Sequence, residues 1–301
     1  MTAESNASRG GLNRSAPGST SWHNRISGVR NGFLYVILVL MSLLFLLPLF
    51  WMISTSLKPK PEIYIFPPVL LPSVAQWENY WNAWIYPGMQ FTRWSLNTAF
   101  ITGLVLIGTL LTSSLCAYGF SRIRFPGRNF WFIVTLASIM LPPQVTLIPL
   151  YVLFFKISWL DTFLPLWVPV WFGGGAINIF LLRQFFMQIP NELEDAAIID
   201  GAGRLQIWAR IFLPLSVPGL ITVGIFTFQA AWNDFYGPLI YLSSQENYTL
   251  ALGINLFRGQ YGEEIHYMMA VSFLMTIPMI IIFFLAQRYF IRGIVLTGIN
   301  R

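Results

Sequence analysis

Six stretches of roughly 20 or more apolar residues constrain this chain more than any other feature. They lie near 33–53, 95–120, 130–155, 163–187, 209–240 and 267–290. At the helical rise of about 1.5 Å per residue, a run of that length matches the hydrocarbon core of a bilayer. Only 10% of the 301 residues are charged and the mean hydropathy is +0.61. A soluble domain carries about 25% charged residues, so lipid is the solvent that suits this composition. Backbone polar groups in lipid must bond within their own segment. The predicted fold class is therefore all-α, a polytopic membrane protein of about six transmembrane helices.

Charge placement orients the spans. With the N-terminus inside, the inner segments hold 13 basic residues: Arg9, Arg14, Arg25, Arg30, Arg122, Arg124, Arg128, Arg183, Arg204, Arg210, Arg288, Arg292 and Arg301. The outer segments hold the remaining 5: Lys58, Lys60, Arg93, Lys156 and Arg258. The positive-inside bias puts both termini in the cytoplasm, which an even number of spans requires. Residues 1–32, rich in Ser, Gly, Asn and Arg, read as a mostly disordered cytoplasmic tail that stays on the chain, and 33–301 as the transmembrane domain. A mitochondrial presequence is the second reading of the tail, weakened because no amphipathic helix is evident. The longest outer connection, about 54–94, carries Trp77, Tyr80, Trp81, Trp84 and Tyr86. These residue types favour the membrane interface, which predicts ordered structure there.

Several function classes drop out. The only lysines, Lys58, Lys60 and Lys156, follow no glycine, so no phosphate-cradling Gly-Lys exists. His23 and His266 are too few for a histidine metal site or relay, and no Gly-x-Ser-x-Gly elbow appears. No enzyme activity, cofactor or metal is expected. The pI near 9.6 reflects scattered arginines rather than a nucleic-acid patch. Cys116 is the sole cysteine, so it forms no intrachain disulfide. Prolines 48, 142, 143, 165, 169, 218 and 278 fall inside the apolar blocks and predict kinks, for which ordinary bent packing is sufficient. Gly173-Gly174-Gly175 admits close helix approach or local unwinding, with close packing favoured.

The inner connection at about 188–214 reads Ile-Pro-Asn-Glu-Leu-Glu-Asp-Ala-Ala-Ile-Ile-Asp-Gly-Ala-Gly-Arg from Ile189 to Arg204. Pro190 can open a helix, and Glu192, Glu194 and Asp195 suit its first turn. Ala196 and Ala197 leave room for close approach. Gly201 permits a break, after which 204–212 resumes an apolar helical spacing. Two short helices with a bend at Gly201 are predicted.

This segment resembles the EAA loop of binding-protein-dependent ABC importer permeases. It matches at Ala196, Ala197, Asp200, Gly201, Ala202, Ile211, Leu213 and Pro214. Asp195 stands where that family usually has Glu, and Glu194 precedes it. Further matches are Ser54-Thr55-Ser56-Leu57-Lys58-Pro59, Asn97-Thr98, Ala117-Tyr118 with Arg122, Trp232-Asn233-Asp234 and Gln287 to Gly293. Together they resemble the carbohydrate-uptake branch, near the maltose-type second permease, although the ending Thr297 to Arg301 departs from it.

The resemblance implies a bacterial or archaeal cell-membrane permease in a heterodimer with a second permease. Two ATP-binding subunits and an extracytoplasmic solute-binding protein complete such an importer. ATPase closure would move the 192–212 helices and switch the spans between access states. The pathway candidates implied are Asn178, Gln184, Gln229, Asn233 and Asp234, with helix–helix hydrogen bonding the other account of them. Asp234 is favoured as a structural polar contact. The outer connection 241–265, with Glu246, Glu263 and Glu264, would by the resemblance face the binding protein, with a solvated loop the other reading of it. A phosphorylated polyol as solute, and an ion-driven secondary transporter, are the alternatives. The latter wants ionisable groups at the midplane, where none is evident.

Overall fold

In the computed structural model, the backbone is described for residues 20–259 and 264–296, and side chains for 32–258 and 264–287. Every regular element among the described residues is helical. Helix α1, Thr20–Ser56, starts inside the segment read as a tail; residues 1–19 lie outside the described residues. The described residues from Thr20 to Met52 belong to a unit of their own, and the second unit begins at Ile53.

Within the second unit, helix α2 spans Glu78–Trp84 and helix α3 spans Phe91–Arg122. Helix α3 is the central pillar. Small side chains recur along it, and Thr98, Thr102, Thr109, Ser113 and Ser114 are all buried. Short hydroxyls permit close packing without lipid-facing bulk, and they return their donors to the preceding turn: Thr98 to Trp94 O and Ser113 to Thr109 O.

Helices α4, Arg128–Ala137, and α5, Pro143–Lys156, come from the third apolar block. A single kinked span was expected there. Instead the arms meet at 95° across Leu141 and Pro142. Pro142 and Pro143 are consecutive residues with fixed φ and no amide donor, which ends one helix and starts another. The fourth block contains α6, Leu164–Trp167, and α7, Ala176–Met187, separated by a 3-10 turn and the three glycines. Gly173, Gly174 and Gly175 all adopt positive φ, at 148°, 66° and 87°. The helix is locally unwound, so the preference for plain close packing is corrected. Close approach is present as well, because a Cβ on Gly174 would lie 2.7 Å from Ser113 N.

Helices α8, Asn191–Ile199, α9, Arg204–Ile207, and α10, Leu213–Leu215, precede α11, Val217–Trp232. The arm Arg204–Leu215 meets α11 at 82°. The fifth block is thus a short span with an arm before it. Beyond it lie α12, Tyr236–Tyr241, α13, Leu250–Ile254, α14, Leu256–Gly259, and α15, Ile265–Leu296. Among the described residues, four segments are long and apolar enough to cross a bilayer, and six if each bent pair counts as one.

Two apolar clusters cap α3. Around Phe91 and Trp94 pack Phe257, Val271 and Trp232; around Tyr118 pack Phe186, Phe212 and Val223. The connection after α1 is ordered, as predicted. Lys58, only 2% exposed, donates to Val69 O at 2.6 Å, and the Asn79 amide donates to Ser56 O and Lys58 O. Burial lowers the Lys58 pKa, with the charge of Glu62 opposing.

Candidate functional site

At the Arg122 end of α3, the chain builds a charged bracket. Arg122 is the last residue of the helix. Its Nη2 donates to Phe186 O at 2.5 Å and to Ile189 O, and its Nη1 donates to Asn191 Oδ1. The carbonyls of Phe186 and Ile189 lie where α7 ends, so one guanidinium gathers acceptors at the helix terminus. The same group lies over the Phe212 ring at 4.9 Å. Arg122 therefore touches the end of α7, the start of α8 and the arm after it.

Glu194 completes the bracket. Its side chain is 9% exposed. Arg204 Nη1 reaches its Oε1 at 2.6 Å, Tyr118 Oη lies 3.5 Å from that oxygen, and Arg122 Nη1 lies 3.9 Å from Oε2. A buried carboxylate persists only when paired, and here the two arginines approach from different elements. The matched motif around it turns its other members outward: Asp195, Ala196, Asp200 and Gly201 are exposed, and Ala197 and Ala202 half-buried.

The bend between the two helices follows from backbone chemistry. Gly201 has φ +80°. Ala202 N donates to Ala197 O and Gly201 N to Ile198 O, the paired bonds of a Schellman stop. Nothing lies within 4 Å of a Cβ built on Gly201. The glycine is therefore required by its dihedral and not by crowding. Pro190 caps α8 rather than opening it, one residue from the expected place. After Gly203, Gln206 Oε1 accepts the Gly203 amide at 3.0 Å. The expected 3.6-type spacing over 204–212 then widens into a π turn at Trp208–Phe212. Ile211 and Leu213 are half-buried and Pro214 exposed. Outward at this end stand Ile199, 85% exposed, and Leu205, 69% exposed.

A cavity of about 1000 Å³ runs beside α3, α7 and α11. Its wall is mostly apolar, with Thr98, Thr109, Ser138, Asn178, Thr227 and Asp234 among the polar residues. The hydroxyl of Thr227 is buried and has no hydrogen-bond partner among the described residues. Asn178 donates to Gly174 O at 2.8 Å, and Asp234 Oδ1 accepts the Gly237 amide at 3.0 Å. Asn178 and Asp234 thus stand on the cavity wall while also tying local turns. Gln184, Gln229 and Asn233 are exposed and lie off it, the Asn233 amide donating to Gln229 O and the Met279 sulfur.

The end of α3 that carries Phe91 is closed by a second polar clasp. The Asp161 carboxylate accepts the amides of Ser243 and Ser244 at 2.9 Å each, the Ser244 hydroxyl and the Asn247 amide. Burial alone would raise its pKa, but these donors outweigh it and hold the carboxyl at about 2. Of the outer acids named in sequence, Glu246 pairs with Arg93 at 3.1 Å and Glu264 with Lys60 at 2.5 Å; Glu263 lies outside the described residues. The bond to Glu264 raises the Lys60 pKa. Sequence reasoning had Arg122, Tyr118 and Arg204 without their roles. The one available signal was Tyr118 and Arg122 on one face at i, i+4.

Over residues 109–295 the chain matches the family described as binding-protein-dependent transport system inner membrane component. It is 34% identical over 258 residues to the trehalose/maltose transport system permease protein MalG of Thermococcus litoralis, covering 85% of this chain and 92% of that one. It is 31% identical over 264 residues to the arabinooligosaccharides transport system permease protein AraQ of Bacillus subtilis, covering 87% of this chain and 93% of that one. Among solved structures it superposes with a TM-score of 0.75 and 24% identity on a bacterial ABC transporter involved in import of the acidic polysaccharide alginate, over 92% of this chain and 100% of that one. That likeness carries the fold.

Proposed function

The chain belongs to the family of inner membrane components of binding-protein-dependent transport systems, and from that premise we propose that it is one permease subunit of an ATP-driven importer of a neutral sugar or oligosaccharide. In this reading it pairs with a second permease, one of two separate ATP-binding subunits takes up the 191–215 helices, and an external binding protein delivers solute at the other end. The 191–215 end is cytoplasmic, as are both termini, on the strength of the charge bias. The chain itself performs no covalent chemistry.

The observation that carries the proposal is the Arg122–Glu194–Arg204 bracket. A helix pair that presents exposed Asp195, Asp200, Ile199 and Leu205 while anchored by buried charges can take up a push at its surface and pass it to α3. The cavity beside α3 is then this chain's wall of the pathway. Among the described residues its lining holds several hydroxyls, one side-chain amide, one carboxylate and no Lys or Arg. A phosphorylated or acidic solute wants cationic partners in a low-dielectric site. That chemistry favours a neutral polyhydroxylated solute, as do relatives whose names give trehalose/maltose and arabinooligosaccharides.

Mild-detergent purification of the tagged chain from its native membrane, with mass spectrometry of what accompanies it, tests the assembly. The expected companions are a Walker-motif ATPase and a second multi-span permease. Recovery of this chain alone from membranes shown to be intact would favour the secondary-transporter alternative.

A further inference from the structure

The turn between α3 and α4 holds a concavity of about 360 Å³ lined by Arg124, Phe125, Gly127, Arg128, Asn129 and Phe130. Two guanidiniums on one small wall repel unless an anion compensates them. No carboxylate does so among the described residues: neither Arg124 nor Arg128 takes part in any of the ion pairs found there. The sequence places no Asp or Glu between Glu78 and Asp161. A third cation adds to the excess, since the charge of Arg128 acts on Arg183. Arg183 is itself held over the Phe132 ring at 4.2 Å, with its Nε donating to Phe120 O at 3.3 Å. Three positive groups therefore converge where an apolar span gives way to a turn.

The surroundings say what compensates them. Phe130, Trp131 and Ile133 are 62%, 55% and 63% exposed on the adjoining helix. That apolar face lies next to the cationic concavity, and it includes Trp131, a residue type that favours the lipid head-group level. Gly127 turns the chain with φ +76° and places no side chain between the two arginines. Guanidinium forks match phosphate oxygens bidentately. We propose that this concavity binds the phosphodiester of an anionic phospholipid, with the acyl chains lying on the exposed face of α4. A free phosphate shares the head-group chemistry but makes no use of the apolar face, and the lipid is the occupant assigned here.

The test uses the purified full-length chain in neutral detergent, offered equal amounts of phosphatidylglycerol and phosphatidylcholine, with retained lipid counted by native mass spectrometry. Each cation near an anionic membrane surface contributes enough that two of them give a preference of about 10- to 30-fold. Wild type should retain phosphatidylglycerol at about that ratio. The double variant Arg124→Gln/Arg128→Gln should fall to about twofold or less, because it loses that contribution. The charge-matched double variant Arg93→Gln/Arg258→Gln, at the far end of α3, should keep the wild-type ratio. Excess inorganic phosphate should leave the lipid count unchanged. A wild-type ratio near one overturns the proposal, as does a ratio unchanged in the first variant or lost equally in the second. Displacement of lipid by inorganic phosphate overturns the lipid in favour of a free anion. If the glutamine pair fails to insert, the wild-type ratio alone decides.

Discussion

Arg122 and Glu194 stand 3.9 Å apart with side chains 6% and 9% exposed, although 72 positions separate them in the chain. This pair joins the foot of the central span to the helix pair behind Gly201. Breaking a buried charged contact by removing one partner costs about 3–5 kcal/mol in general. Here Arg204 still reaches Glu194, but Phe186 O and Ile189 O would lose a shared donor. Arg122→Gln should therefore cost about 2–4 kcal/mol, read as a lowered thermal midpoint in detergent, and it should reduce uptake. Arg204→Gln, whose side chain is 55% exposed, should cost about 1 kcal/mol or less. Equal effects of the two would contradict the bracket.

Gly201→Val should impair transport without blocking insertion. A valine at φ +80° is strained by about 1–2 kcal/mol or more, although open space surrounds the position. Gly201→Asn should be milder, since Asn tolerates the left-handed region. Comparing uptake per inserted molecule for the two variants checks this. Unchanged uptake in the valine variant would remove the bend from the mechanism.

Thr227→Val should leave stability unchanged or slightly higher, because the hydroxyl it removes is buried without a partner among the described residues. If the cavity carries a sugar, that hydroxyl is free to bond the solute, and uptake should fall about 5- to 10-fold, the worth of one hydrogen bond. Wild-type uptake at all solute concentrations would place the pathway elsewhere.

The clasp at Asp161 carries a pH signature. Its folded pKa, about 2, lies below its ordinary 3.8. The stability it adds is therefore present in full above the ordinary value and is lost as pH falls through about 2. Thermal midpoints measured from pH 6 downward (roughly, to bracket that range) should show this acid loss in wild type. Asp161→Ala should lower the midpoint at neutral pH and flatten this part of the acid limb. Parallel acid limbs would assign the loss to other groups.

Much of this architecture was legible from residue order. Spans declare themselves through length and polarity alone, and the Pro190 and Gly201 punctuation located the helix pair, because caps are local chemistry. The 95° break at Leu141–Pro142 was visible as a proline pair but not as an angle, which tertiary packing sets. Unwinding at Gly173–Gly175 depended on how closely Ser113 approaches, a distance no local pattern encodes. The Arg122–Glu194 and Asp161–Ser244 contacts join segments far apart in sequence, so their members were readable as residues but not as partners.

In the proposed importer, the surface presented by 191–215 is where an ATP-binding subunit pushes on the spans. Ile199 is its most exposed apolar side chain, at 85%. The decisive measurement is cross-linking from Ile199→Cys in a Cys116→Ser background, in native membranes, with a bifunctional thiol-reactive reagent. The expected result is a product that joins this chain to an ATP-binding protein, at a yield that changes when ATP is added. A residue that labels readily with a water-soluble maleimide yet forms no product with any ATP-binding protein would contradict it.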